Sequence, residues 1–187
     1  RYTAVVFPLF ALLAAVGAHR MPGRRAGPAL VGAATALSLV AAVPNVWHLR
    51  TNAAAVARAI SEGFRPGDVV VYCPDQLGPA TSRLLPASVV QVSFPDRDDP
   101  HLVNWVDYRR RHLARSPRAF AREISAATGP GGRVWLVYAW QYRVAGARCT
   151  DVADALTVIR SAPTTVVRPD PAAYERARLL RYPPVAP

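Results

Sequence analysis

The 187 residues carry a formal net charge of +11, from 23 basic and 12 acidic side chains, and 51% of the chain is hydrophobic. Every basic residue is arginine and, apart from the run Arg109-Arg110-Arg111, the arginines are scattered, so the charge reads partly as the codon bias of a GC-rich genome and argues against a nucleic-acid footprint. With about 45 residues set aside for apolar stretches, roughly 140 remain, enough for one domain with its own core.

Those stretches come first. Thr3 to Ala18 and Ala26 to Trp47 contain no acidic or basic residue, and they bracket the loop His19-Arg20-Met21-Pro22-Gly23-Arg24-Arg25. A span of the hydrocarbon core takes roughly 20 apolar residues, which the second stretch supplies and the first nearly does. The reading is two transmembrane helices in residues 1–50, followed by a domain over 51–187. Three arginines and no acid put the 19–25 loop in the cytoplasm, so Arg1 and the long tail lie outside. The localisation expected is a multi-pass cell-membrane protein with an extracytoplasmic C-terminal domain. A signal peptide over residues 1–18 is the rival reading, and the second apolar stretch argues against it. Because the chain opens on Arg1 rather than Met, it reads as the C-terminal piece of a longer protein.

From Thr51 onward, 18 arginines face 12 acids. Thr51 and Asn52 can cap a helix carrying Ala53, Val56 and Ile60, ended by Gly63 and Pro66-Gly67. Asp68 to Cys73 is a β-branched run typical of a strand buried on both faces. Gly78 to Leu85 reads as a short helix and Ser88 to Ser93 as a second strand. Two helices are predicted next, one around Trp105 to Arg115 and one starting at the Ser116 cap with Pro117 at its first position. Gly129-Pro130-Gly131-Gly132 turns the chain into a third strand, Val134 to Tyr138. Thr150 is expected to cap another helix, Thr164 to Val167 to be a fourth strand, and Asp170-Pro171 to open a last helix toward Leu180. Alternating strands and helices predict parallel pairing and a three-layer, Rossmann-like α/β domain.

Two cysteines, Cys73 and Cys149, lie in this tail. In an oxidising compartment they can form one disulfide; two buried free thiols are the alternative. Ligands of an open parallel sheet gather beyond the carboxyl ends of its strands. There Asp75 and Gln76 can hydrogen-bond the hydroxyls of a glycan, while Trp140 and Tyr142 can stack on its apolar face. The competing structural roles are a helix cap for Asp75 and an edge cover for the aromatics. No GxGxxG or P-loop follows the first strand, so no nucleotide or other cofactor is expected. His19, His48, His101 and His112 are dispersed, which argues against a metal site. Asp96, Asp98 and Asp99 form an acidic loop, read as solvated rather than cation-binding. The aromatic stretch Val103 to Tyr108 is accounted for by one amphipathic helix.

The order of features, with Arg1 to Pro8 opening a membrane helix, then Arg50-Thr51, then Pro66 to Pro79, resembles the C-terminal end of actinobacterial integral-membrane glycosyltransferases of the GT-C, mannosyltransferase-like type. The resemblance covers the whole chain but includes no catalytic fingerprint. It implies transfer of a sugar from a polyprenyl-phosphate donor to an acceptor on the outer face, with the essential acidic loop upstream of Arg1 and no catalytic residue in this chain. It also implies that Arg1 and Tyr2 contact the donor's phosphate, a task suited to the planar guanidinium; a plain interfacial anchor pair is the alternative. Partners would be membrane lipid and the polyprenyl-phosphate sugar. The other function considered is a non-catalytic, membrane-anchored module that binds cell-wall glycan or a partner protein.

Overall fold

In the computed structural model, residues 3–23, 25–47 and 49–185 are described. They form two compact units, residues 1–48 and 49–187. In the first, α1 (Thr3–His19) packs against α2 (Ala26–Trp47). Gly27 makes this approach close, since a Cβ there would lie 2.2 Å from the Ala18 carbonyl oxygen. Among the described residues, one helical stretch, Ala26–Pro44, is long and apolar enough to cross a membrane, and α1 contributes the shorter apolar stretch Pro8–His19. Leu9, Phe10, Leu37 and Val40 are exposed on these helices.

The second unit is an α/β domain. Its elements are α3 (Ala53–Gly63), β1 (Val69–Cys73), a 3-10 turn (Asp75–Leu77), α4 (Gly78–Ser82), β2 (Val90–Ser93) and α5 (Tyr108–Ala114), then α6 (Pro117–Thr128), β3 (Val134–Tyr138), α7 (Gly146–Arg160), β4 (Thr164–Val167) and β5 (Arg178–Tyr182). The sheet order is β2-β1-β3-β5-β4. Successive side chains on a strand point to opposite faces. Val69, Val71 and Cys73 therefore meet Phe120, Ile124, Val152 and Leu156 of α6 and α7, while Val70 and Tyr72 meet Val56 and Ile60 of α3. Burial on both faces explains why β1 and β3 are unbroken apolar runs.

The sheet is mixed, which corrects the expected parallel arrangement. β1 pairs in parallel with β2 and β3, but β5 lies antiparallel between β3 and β4. The segment expected to be the last helix supplies that strand. Asp170 folds its own chain into a turn, accepting from the Ala172 amide at 2.8 Å, and Leu179, Leu180 and Tyr182 then bury on the two faces of the sheet. Tyr182 fastens the strand by donating to the Ala153 carbonyl at 2.8 Å. Cap predictions divide. Ser116 accepts from the Ala119 amide, ahead of Pro117, as expected. Thr150 does not cap α7; it lies inside the helix and donates to the Gly146 carbonyl four residues back. The helix starts earlier because Gly146 has no side chain: a Cβ there would fall 2.0 Å from the Trp140 carbonyl oxygen. At the start of α3, Thr51 accepts from the Ala53 amide, and the Asn52 side chain turns instead to Ala177, whose carbonyl and amide it binds at 2.7 and 3.0 Å.

Two buried ionic groups fix the opposite end of the sheet from the strand tips. Asp68, just before β1, accepts from the amides of Arg65 and Arg133, the Arg133 guanidinium and the Trp135 indole. Arg160, 1% exposed, donates to the Ser125 hydroxyl and to the carbonyls of Ser125, Gly132 and Pro183, which locks α7 to α6 and to the end of β5.

Candidate functional site

Strand β1 ends at Cys73, and Cys73 is bonded to Cys149 of α7, with Cα atoms 5.4 Å apart. The chain then turns through Asp75–Leu77 beneath α5. Asp75 does not act as a cap: Pro74 holds the capping position and makes no side-chain capping bond. The Asp75 carboxyl is instead buried at 3% exposure, facing α5. His112 Nε2 lies 3.7 Å from Asp75 Oδ1 and an Arg111 amino nitrogen 3.9 Å from Oδ2. The Tyr108 hydroxyl also faces this carboxyl without completing a hydrogen bond of good geometry.

The helix period explains the gathering. Tyr108, Arg111 and His112 are spaced i, i+3, i+4, so all three lie on one face of α5. Asp107, in the left-handed region at φ 49°, turns the chain into this helix, a conformation that Asp tolerates better than most residues. Arg111 is held from outside by Asp96, by Asp98 at 3.3 Å and by the Asn104 carbonyl at 2.7 Å. The acidic loop is solvated, and within it Asp96 and Asp98 pair with the Arg111 guanidinium while Asp99 binds the His101 amide and ring. Phe94 at the end of β2 packs edge-on against His112 at 5.6 Å, and Tyr108 stacks on the same ring at 4.1 Å. On the far side of the site Tyr142 donates to Glu175, and its charge environment includes Asp75.

Seven buried side-chain atoms in these elements lack a hydrogen-bond partner among the described residues. They are Asp75 Oδ1, Gln76 Oε1, Ser82 Oγ, Ser93 Oγ, Tyr108 Oη, Arg111 Nε and His112 Nε2. Orphaned buried polar atoms are rare because each forfeits its hydration, at about 1–3 kcal/mol. Their concentration around Asp75 makes this the candidate site among the described residues, and within it Asp75, Tyr108 and His112 face one another. A groove of about 700 Å³ lined by Arg118, Arg122, Asp154 and Val158 gathers none of these orphans, so it is a weaker candidate despite its size.

Protonation in the site follows from burial. Burial pushes the Asp75 carboxyl up to about 6, against the pull of Tyr108 and Arg111. Burial likewise holds His112 below the usual histidine range and pushes Glu175 above the usual carboxylate range. His112 Nδ1 lies 3.0 Å from the Tyr108 carbonyl, so Nδ1 carries the hydrogen and donates it. The Nε2 lone pair then faces the Asp75 carboxyl across 3.7 Å. Titration gives the sign of a stability test. An acid whose folded-state value is raised adds stability that is full below the unfolded value near 4 and lost as pH rises through about 6. His112 works oppositely: its contribution is full above about 6.5 and lost as pH falls. In thermal melts from pH 4 to 7, the difference between wild type and Asp75→Asn should therefore change by about 2–3 kcal/mol, with wild type relatively weaker at pH 7. Parallel pH profiles for the two proteins would refute the buried-acid assignment.

Of the residues predicted from sequence, the structure brings together Asp75, Gln76 and Tyr142. Trp140 stands at the end of β3 in a different group, 45% exposed, stacked near Tyr138 and beneath the Arg178 guanidinium at 5.2 Å. Arg1 and Tyr2 lie outside the described residues, as do Arg24 and His48. Tyr108, Arg111 and His112 were not anticipated; their helical spacing behind Asp107 was the available signal. Among the described residues no group of three or more His, Cys, Asp or Glu could hold a metal ion. Neither a protein-family model nor a curated protein matches the chain.

Proposed function

We propose that this chain is the C-terminal portion of a membrane glycosyltransferase that moves a sugar from a polyprenyl-phosphate donor to an extracytoplasmic acceptor. In this reading α1 and α2 both cross the bilayer, the 19–25 loop faces the cytoplasm, and the α/β domain serves outside as the acceptor-binding accessory. The observation that carries it is the set of unsatisfied buried polar atoms around Asp75, which calls for a ligand rich in hydroxyls. A sugar both donates and accepts, so it suits a set that mixes carboxyl, amide, hydroxyl, guanidinium and imidazole. The disulfide agrees with an oxidising compartment, and Ala26–Pro44 agrees with membrane residence.

The test uses the complete reading frame in proteoliposomes, with a polyprenyl-phosphate mannose donor and a short mannooligosaccharide acceptor. Transfer is expected, and Asp75→Ala should raise the acceptor KM about tenfold, the equivalent of about 1.4 kcal/mol, with kcat nearly unchanged. Binding of the oligosaccharide without transfer would favour the anchored glycan-binding module. Absence of both would sink the glycan reading.

A further inference from the structure

Helix α5 has two faces, and only the inner one serves the site. Tyr108, Arg111 and His112 point inward, whereas Arg109, Arg110 and Leu113 point to solvent. Leu113 is 52% exposed, and the loop before the helix adds Leu102 at 70%, Trp105 at 48% and Val106 at 73%. Trp105, Arg109, Arg110 and Leu113 line one open depression of about 800 Å³. Its lining holds two arginines against the single carboxylate of Asp107, which already pairs with Arg110.

We infer that this face of α5 and its preceding loop dock on the anionic headgroup region of a lipid bilayer. Tryptophan and aliphatic side chains beside arginine form the composition that partitions to a membrane interface: the apolar groups enter the acyl boundary while guanidinium groups meet lipid phosphates. A protein partner would leave the arginines to be desolvated at a cost, whereas at a headgroup layer they stay hydrated and paired. Chain connectivity favours the bilayer over any diffusing partner. Helix α2 ends at Trp47 and the domain begins at Leu49, so a bilayer crossed by α2 is at high effective concentration for this patch. Docking would bring the inner face of the same helix, with Tyr108, Arg111 and His112, to the level of the membrane surface. The inference rests on membrane residence of the chain and not on sugar transfer.

Spin labels read the depth directly. The native cysteines are joined to each other, so Val106→Cys, Leu113→Cys and, as an aqueous control, Val158→Cys on α7 each offer one labelling site. Val158 is 87% exposed. The full chain is placed in vesicles of phosphatidylcholine with phosphatidylglycerol, and each label's collision rates with oxygen and with a water-soluble nickel chelate are compared. Labels at 106 and 113 should favour oxygen several-fold over the label at 158, and Arg109→Ala with Arg110→Ala should reduce that preference in anionic vesicles. Water-like accessibility at both positions would overturn the inference. So would dipolar broadening between labels at 106, which would assign the face to a second copy of the chain. Sugar transfer is assayed separately, so its success or failure leaves this result unaffected.

Discussion

Replacing Cys73 and Cys149 together by alanine should lower the unfolding free energy of the domain by about 4 kcal/mol, as estimated from the chain-entropy cost of closing so long a loop. The bridge spans a sequence separation of 76 residues and joins the end of β1 to the first turn of α7. Both sulfurs are fully buried within the apolar layer formed with Phe94, Phe120 and Val152. Alanine leaves no polar atom behind, so the loss measured is that of the crosslink and a small cavity. Urea titration of the full chain in mild detergent, with and without reductant, reads it. The midpoint should fall on reduction, and the dependence on urea should steepen, because an uncrosslinked denatured chain exposes more surface. Superimposable oxidised and reduced curves would show that the bridge contributes nothing.

Asp68→Ala should cost about 3–5 kcal/mol, the range for removing one partner of a buried charged network. The carboxylate is 2% exposed, and its loss would orphan two backbone amides, the Arg133 guanidinium and the Trp135 indole together. Asp68→Asn should cost less, since its amide oxygen still accepts while its NH2 opposes Arg133. The pH dependence separates charge from shape. Burial alone would raise the Asp68 carboxyl, but hydrogen bonds from Arg133, Trp135 and the two amides outweigh it and hold the group below the usual range. Its stabilisation is therefore full above the unfolded value near 4 and fades as pH falls through the lowered one. Melts between pH 2 and 6 should show wild type converging on Asp68→Asn in acid. A constant gap across that range would mean that the carboxylate's charge is not what the network uses.

What could be read from the residues alone follows how local each feature is. Val69 to Cys73 declares a doubly buried strand by composition, and Ser116-Pro117 declares a helix start, because both depend on neighbours within a few positions. Asp75 could be placed beyond a strand end for the same reason. The strand at Arg178–Tyr182 could not, since its alternation is short and preceded by a proline and alanines that also suit a helix. What decides it is the open edge of β3, more than 40 residues earlier in the chain. His112 looked solitary for a similar reason: its neighbour Asp75 is distant in sequence, and only the turn after β1 beneath α5 brings the two within 3.7 Å. Tyr142 reads as a stacking group, yet its hydroxyl donates to Glu175, a partner 33 residues away that no local pattern announces.

The antiparallel return of β5 also bears on biosynthesis. The Asn52 side chain, at the start of the domain, binds Ala177, and among the described residues β3 gains its second neighbour from residues 178–182. Until the chain has been made through Tyr182, the sheet keeps an open edge in its middle and the opening helix lacks its anchor. Contacts so far apart in sequence form slowly. The domain is thus expected to stay protease-sensitive throughout its emergence and to become resistant in one step at the end, rather than folding progressively as it is extruded.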